Sequence, residues 1–269
     1  KSAMEVRSPQ TRCRGHVHMS RVICISNQKG GVGKTTTAIN LAAALAAGEQ
    51  RTLLVDFDPQ GHATAGLGVE KPRMGQSIYH GIMGKASPQE IIIRTEMDYL
   101  SLLPARRELF RAEAELMSKT GKEKVLRGFL KNIREDFDYI IIDSAPSLNL
   151  LTLNAFLAAD SLLIPLQCDF FALDSLESMM ASLEVVTQRM HPDLRVMGIL
   201  LTMFDPKDGV SKQIEASARS QFKDLVFKTV IPQDSMIKKA AILGRPLLMH
   251  SIKEAAARRY LRLAEEVMT

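Results

Sequence analysis

Cysteine is scarce in this 269-residue chain: Cys13, Cys24 and Cys168 are all there is. They are odd in number, far apart and never in C-x-x-C spacing, which argues against disulfide and zinc frameworks. Free thiols in a reducing cytoplasm are the expectation. Long apolar runs are missing too, with nothing near the ~18 residues of a membrane span. Residues 1–18 have no hydrophobic core of the kind a secretory signal carries. They hold Lys1, Arg7, Arg12 and Arg14 against Glu5 alone, with Pro9 and no period, and read as a flexible basic arm or an expression remnant. Met19 is then a candidate natural start, and residues 19–269 are expected to form one domain. No internal repeat, low-complexity segment or linker divides them.

What is present is the composition of a globular protein, 46% hydrophobic and 24% charged. The net charge of +5 permits a polyanionic partner without requiring one. Apolar runs alternate with helical patterns. Strands are predicted over 21–26, 52–56, 99–103, 139–143, 161–165, 195–203 and 226–230. Helices are predicted over 35–47, 77–83, 88–94, 108–117, 122–134, 148–158, 173–190, 211–222, 235–243 and 252–268, with a glycine-punctuated loop over 61–73. Near-continuous apolar strands between helices predict an α/β fold, a doubly wound and mostly parallel sheet covered on both faces.

One stretch dominates, Ser26-Asn27-Gln28-Lys29-Gly30-Gly31-Val32-Gly33-Lys34-Thr35-Thr36-Thr37. It joins the strand Val22-Ile23-Cys24-Ile25 to an alanine-rich helix. Glycines there let backbone N–H groups close around an anion, and the helix N-terminus adds partial positive charge. Gly33-Lys34-Thr35 completes a P-loop, G-x-x-x-x-G-K-[ST]. Gln28 replaces the first glycine, and a second lysine, Lys29, stands inside the loop. Two later strands end in acids, Asp56 and Asp143. Ligands of parallel sheets bind at the carboxyl ends of strands, so both acids are expected near the loop. Lys34 is expected on the β- and γ-phosphates, with Thr35, Asp56 and Asp143 serving Mg²⁺.

Three motifs together closely resemble the ParA/Soj partition ATPases of the deviant Walker A group, which also includes MinD. They are Lys29 to Thr35, Asp56-Phe57-Asp58-Pro59-Gln60-Gly61 and Ile140-Ile141-Ile142-Asp143-Ser144-Ala145-Pro146. The resemblance runs from Arg21 to Met268. It implies ATP and Mg²⁺ as cofactors, with Lys29, Gly30, Gly31, Val32, Gly33, Lys34, Thr35 and Thr36 around the nucleotide and Met203 and Pro232 flanking the adenine. It implies an ATP-dependent homodimer in which Lys29 reaches the partner's nucleotide while Lys34 serves its own. Asp58 would position the attacking water, giving slow hydrolysis stimulated by a ParB-like protein.

The resemblance further implies non-specific DNA binding by the ATP dimer and a cytoplasmic, nucleoid-associated place. Lys207 stands just where the family has an arginine, whereas Met236 replaces a second family arginine. Lys238 and Lys239 follow at once and could supply that charge, and Arg245, Lys212, Lys223, Arg258 and Arg259 are other candidates for DNA contact. A MinD-like membrane helix at the C-terminus is interrupted by Glu265 and Glu266, so stable membrane association is not expected. With only about 20 residues before the first strand, an N-terminal helix-turn-helix domain is not expected either. A positioning ATPase of the same fold that moves a protein cargo is the other reading.

Overall fold

Along the central strands, successive side chains fall alternately into two apolar layers. Val22, Cys24, Leu53, Val55, Ile140 and Ile142 lie in one, and Ile23, Ile25, Leu54 and Ile141 in the other. A period of two places neighbours on opposite faces of a sheet, and these strands are apolar at every position because both faces are covered. The computed structural model describes residues 20–69 and 75–269. The arm predicted over 1–18 lies outside the described residues.

The strands are β1 (Arg21–Ile25), β2 (Thr52–Phe57), β3 (Ile93–Arg94), β4 (Leu100–Leu103), β5 (Tyr139–Ser144), β6 (Ser161–Gln167) and β7 (Arg195–Thr202). They form one sheet in the order β3-β4-β2-β5-β1-β6-β7, parallel except for β3. The first helices are α1 (Lys34–Ala47), α2 (His62–Gly66), α3 (Ile78–Ile82), α4 (Pro88–Ile91), α5 (Leu109–Leu116) and α6 (Val125–Lys131). There follow α7 (Leu150–Ala158), α8 (Ala172–Arg189), α9 (Gly209–Phe222), α10 (Ser235–Ile242), α11 (Leu247–His250) and α12 (Ala255–Met268). This is the doubly wound α/β domain that the alternation of strands and helices predicts.

The alanines of α1 let it lie close against the sheet while α12 covers its outer side. Ala38, Leu41, Ala42, Ala43, Leu45 and Ala46 are all buried. The apolar stripe of α12, Ala256, Ala257, Tyr260, Leu263, Ala264 and Val267, is buried in the same layer. That stripe is spent on the domain and is not presented to a lipid surface. Among the described residues no helix is long and apolar enough to cross a membrane.

Five local expectations are corrected. The loop over 61–73 contains α2, which starts directly after Gly61 with that glycine at φ 68°. The helix over 88–94 ends at Ile91, because Ile92 turns to an extended ψ of 130° and Ile93–Arg94 pairs antiparallel with β4. A run of β-branched isoleucines favours that exchange. The helix over 122–134 is only α6, flanked by 3-10 turns at Lys122–Lys124 and Arg134–Asp136. No strand forms over 226–230: Val226 makes one bridge to Ile199, and the N–H groups of Lys228 and Thr229 donate to the Glu266 carboxylate. Phe227 N–H and Ile231 N–H still donate to Ile199 O and Leu201 O of β7, and the diversion of Thr229 between them breaks the ladder. The helix over 252–268 begins at Ala255, and the separate turn α11 precedes it.

Candidate active site

The chain leaves β1, passes through the glycine loop and enters α1 at Lys34. Gly31 and Gly33 have φ of 79° and 91°, the left-handed region that side chains disfavour. Gly33 caps α1 with no side-chain hydrogen bond and no acid in the first turn. The first N–H groups of the helix therefore face the loop with no side chain satisfying them, as an anion site requires. The loop is anchored at both ends. Asn27 Nδ2 donates to Pro165 O at 2.8 Å, its Oδ1 accepts from Lys29 N at 3.0 Å, and Thr202 Oγ1 donates to Val32 O at 2.8 Å.

The two lysines are held differently. Lys34 is buried, and its Nζ donates to Lys29 O at 2.9 Å, curling back across the loop. Burial lowers its pKa, opposed by the charges of Asp143 and Asp58, which places both acids within electrostatic reach of this amine. Lys29 Nζ instead pairs with Asp169 Oδ2 at 2.5 Å, just past the end of β6. Both side chains are about a third exposed, at 29% and 33%. Such a half-wet pair stabilises little, about 0–1 kcal/mol.

The carboxylates meet where β2 and β5 end. Asp56 and Asp143 are register partners and are fully buried. Asp56 is tied down: its Oδ2 accepts from Thr64 N at 2.7 Å and Thr64 Oγ1 at 2.6 Å, and its Oδ1 from Asp58 N at 3.3 Å. Burial still raises its pKa to about 6, those bonds opposing. Asp143 has neither oxygen hydrogen-bonded. Its pKa is pushed well above the usual carboxylate range, first by burial and then by Asp56; the Thr35 hydroxyl opposes this from nearby without meeting hydrogen-bond geometry. An orphaned buried carboxylate beside a hydroxyl and two further acids is a donor set that fits a hard divalent cation. Asp58 is 8% exposed, with Oδ1 accepting from Gln60 N at 2.9 Å in a tight turn that ends at Gly61.

The remaining expected positions divide. Gly30 and Gly31 are exposed, Val32 is buried, and Thr35 and Thr36 are half-buried in the first turn of α1. Met203 and Pro232 come together, because Phe204 and Pro232 form a parallel bridge. Met203 has φ 53°, a rare conformation for a residue with a Cβ. Lys207, Lys238 and Lys239 are exposed on the last third of the chain. Arg245 is exposed but pairs with Glu96 at 3.0 Å. Asp169 and Thr64 had no sequence signal: one lies 140 residues from its lysine, and the other looks like any threonine in a glycine-rich loop. Cys24 and Cys168 are free and buried, and burial pushes the Cys168 thiol up to about 12, so neither is poised as a nucleophile.

Comparison with known proteins agrees with this geometry. A family model described as AAA domain matches residues 20–196. The chromosome partitioning protein ParA of Myxococcus xanthus is 46% identical over 95% of this chain and 90% of its own. The sporulation initiation inhibitor protein Soj of Bacillus subtilis is 42% identical over 93% of this chain and 98% of its own. Among solved structures, cobyrinic acid a,c-diamide synthase of Mycobacterium smegmatis, with bound ADP and magnesium, superposes with a TM-score of 0.82. It is 33% identical, covering 93% of this chain and 94% of that one. With two acid-ended strands facing a two-lysine phosphate loop, and relatives of this closeness along nearly its whole length, the chain belongs to the ParA/Soj family of chromosome partitioning proteins.

Proposed function

We propose that this protein is a MgATP-dependent partitioning ATPase that dimerises on ATP, binds DNA without sequence preference as that dimer, and leaves it on hydrolysis. The observation that carries the reading is the uncapped N-terminus of α1 flanked by Lys29 and Lys34, opposite the orphaned carboxylate of Asp143. The phosphates of ATP would take the loop N–H groups, and Lys34 would exchange its bond to Lys29 O for a phosphate oxygen. Asp143, Thr35 and, through water, Asp56 are the residues that would hold Mg²⁺. The metal would supply charge neutralisation at the β- and γ-phosphate oxygens. Asp58 would orient the attacking water, its loop anchored by Asp56 and by Gly61.

Lys29 would act in trans. Its ion pair with Asp169 is weak and half-solvated, so releasing it costs little against a desolvated phosphate in a second copy. A ParB-like protein is the proposed stimulating partner, and Lys207, Lys238, Lys239 and Arg245 are proposed DNA contacts. The relatives' names support chromosome DNA as cargo over a protein assembly.

The test is sedimentation of the protein with and without a non-hydrolysable ATP analogue and Mg²⁺, followed by titration of a labelled DNA duplex. The reading expects a dimer only with nucleotide, and duplex binding only by that dimer. A nucleotide-bound monomer that ignores DNA would overturn it.

A further inference from the structure

The loop that follows β4 carries Arg106 and Arg107, and the first turn of α5 carries Arg111. With Glu108 they line an open cavity of about 360 Å³. Arg106 has company: it stands 3.5 Å from Glu108 and reaches Gly75 O at 3.4 Å. Arg107 and Arg111 are exposed, and among the described residues their side chains make no ion pair or hydrogen bond. The other acids of α5 do not serve them: Glu115 accepts from the Tyr79 hydroxyl, and Glu113 holds an unpartnered buried oxygen.

This arrangement is unfavourable among the described residues. Cations at a helix N-terminus oppose its dipole, and Arg107 and Arg111 have no counter-ion there. A local charge pattern that costs stability without an internal return points to a ligand outside the chain. Guanidinium forks offer several donors to oxyanions, and their planar geometry suits phosphate. Phe110 lies between Arg107 and Arg111 in sequence and is 56% exposed. Three arginines on one cavity suit the closely spaced phosphates of a nucleic-acid backbone, whose binding is read out by its salt dependence.

The cavity is also wired to the candidate active site. Ala105, next to Arg106, donates its N–H to Thr64 Oγ1 at 3.0 Å, and that hydroxyl donates to Asp56 Oδ2 at 2.6 Å. On the same loop, a Cβ added to Gly61 would come within 3.2 Å of Ala105 O. A shift of the Asp58–Gly61 loop with nucleotide state would therefore press directly on the residue that carries the arginines.

We propose that Arg106, Arg107 and Arg111 form a nucleic-acid phosphate site, additional to the basic residues of the last third of the chain. It rests on the DNA-binding arm of the function proposed above. The test measures anisotropy of a labelled 30-base-pair duplex from about 50 to 200 mM salt, with the ATP analogue and Mg²⁺ present. For Arg107→Ala/Arg111→Ala, the slope of log affinity against log salt should shrink by about 2, with affinity near 100 mM falling about tenfold. Arg107→Ala alone should shrink it by about 1. The Arg→Lys pair should keep the wild-type slope. A wild-type slope in both alanine variants overturns the proposal and leaves DNA binding to the other residues. The same slope with lost binding to poly-glutamate reassigns the cavity to an acidic protein and equally overturns it. Wild-type protein that binds no duplex overturns the functional reading as well, so the two failures are distinguishable.

Discussion

Asp56 and Asp143 stand directly opposite each other at the ends of the neighbouring parallel strands β2 and β5. Register partners on parallel strands point to the same face, with backbones about 4.8 Å apart. Two buried carboxyls at that separation cannot both ionise cheaply. The structure resolves the conflict unequally, giving Thr64 to Asp56 and nothing to Asp143. Asp143 is thereby left open to a cation, and four expected outcomes follow from this pair and its surroundings.

The first concerns pH. Both acids have folded pKa values raised above the unfolded ones, so the folded protein holds their protons more tightly. Their contribution to stability is complete below the ordinary 3.8 and is lost as pH rises through the folded value, about 6 for Asp56. Urea unfolding of the chelated protein should show a loss between these limits on the order of 3 kcal/mol for Asp56 alone. Mg²⁺ should restore it. Asp143→Asn deletes one of the two titrating acids and should shrink the loss to the burial-driven part that Asp56 contributes; an unchanged pH profile in that variant would show that Asp143 does not titrate in the folded protein.

Thr64→Val keeps the shape of the side chain and removes its hydroxyl. It strips one bond from Asp56 Oδ2 and leaves the buried Ala105 N–H without its acceptor. The expected cost is about 1–3 kcal/mol in chemical denaturation. Nucleotide affinity should change as well, because Asp56 loses part of what holds it. A variant as stable as the wild type would mean that solvent replaces these bonds.

For Asp58→Ala, ATP turnover should fall by roughly 100-fold or more. The ATP-dependent dimer and its DNA binding should persist and accumulate. Sedimentation with ATP reads this directly, and a variant that dimerises no better than wild type in ATP would place the water-orienting role elsewhere.

Lys29→Gln and Asp169→Asn separate the two partners of one ion pair. Lys29→Gln should bind nucleotide normally and lose partner-stimulated hydrolysis by about 1,000-fold, the scale of a cation supplied in trans. Asp169→Asn should cost less than about 1 kcal/mol of stability. By releasing Lys29 it should let the dimer form at lower ATP concentration. Full stimulated turnover by Lys29→Gln rules out the trans role.

Much of this was legible in the chain because the signals are local. Gly31, Gly33, Lys34 and Thr35 lie close together in a strand-loop-helix context, and that spacing alone marks a candidate phosphate cradle. The acids of β2 and β5 are legible for the same reason: a run of apolar residues and then an aspartate mark the carboxyl end of a buried strand. Short elements were harder. At 88–94 an isoleucine-rich turn can satisfy its backbone as helix or as strand, and pairing with β4 decided it. At 226–230 the apolar pattern suits a strand, yet Glu266, far along the chain, took the Lys228 and Thr229 donors and broke the ladder to β7.

By itself, then, the sequence determined the α/β architecture, the phosphate loop and the set of acids, since these depend on spacing and polarity along the chain. Only the tertiary structure decided which aspartate is occupied and which is open, where Lys29 rests, and that three arginines share a cavity beside the Asp58–Gly61 loop. Those facts depend on contacts between distant segments. Burial and the strength of a charge interaction are properties of the folded neighbourhood, and no reading of adjacent residues contains them.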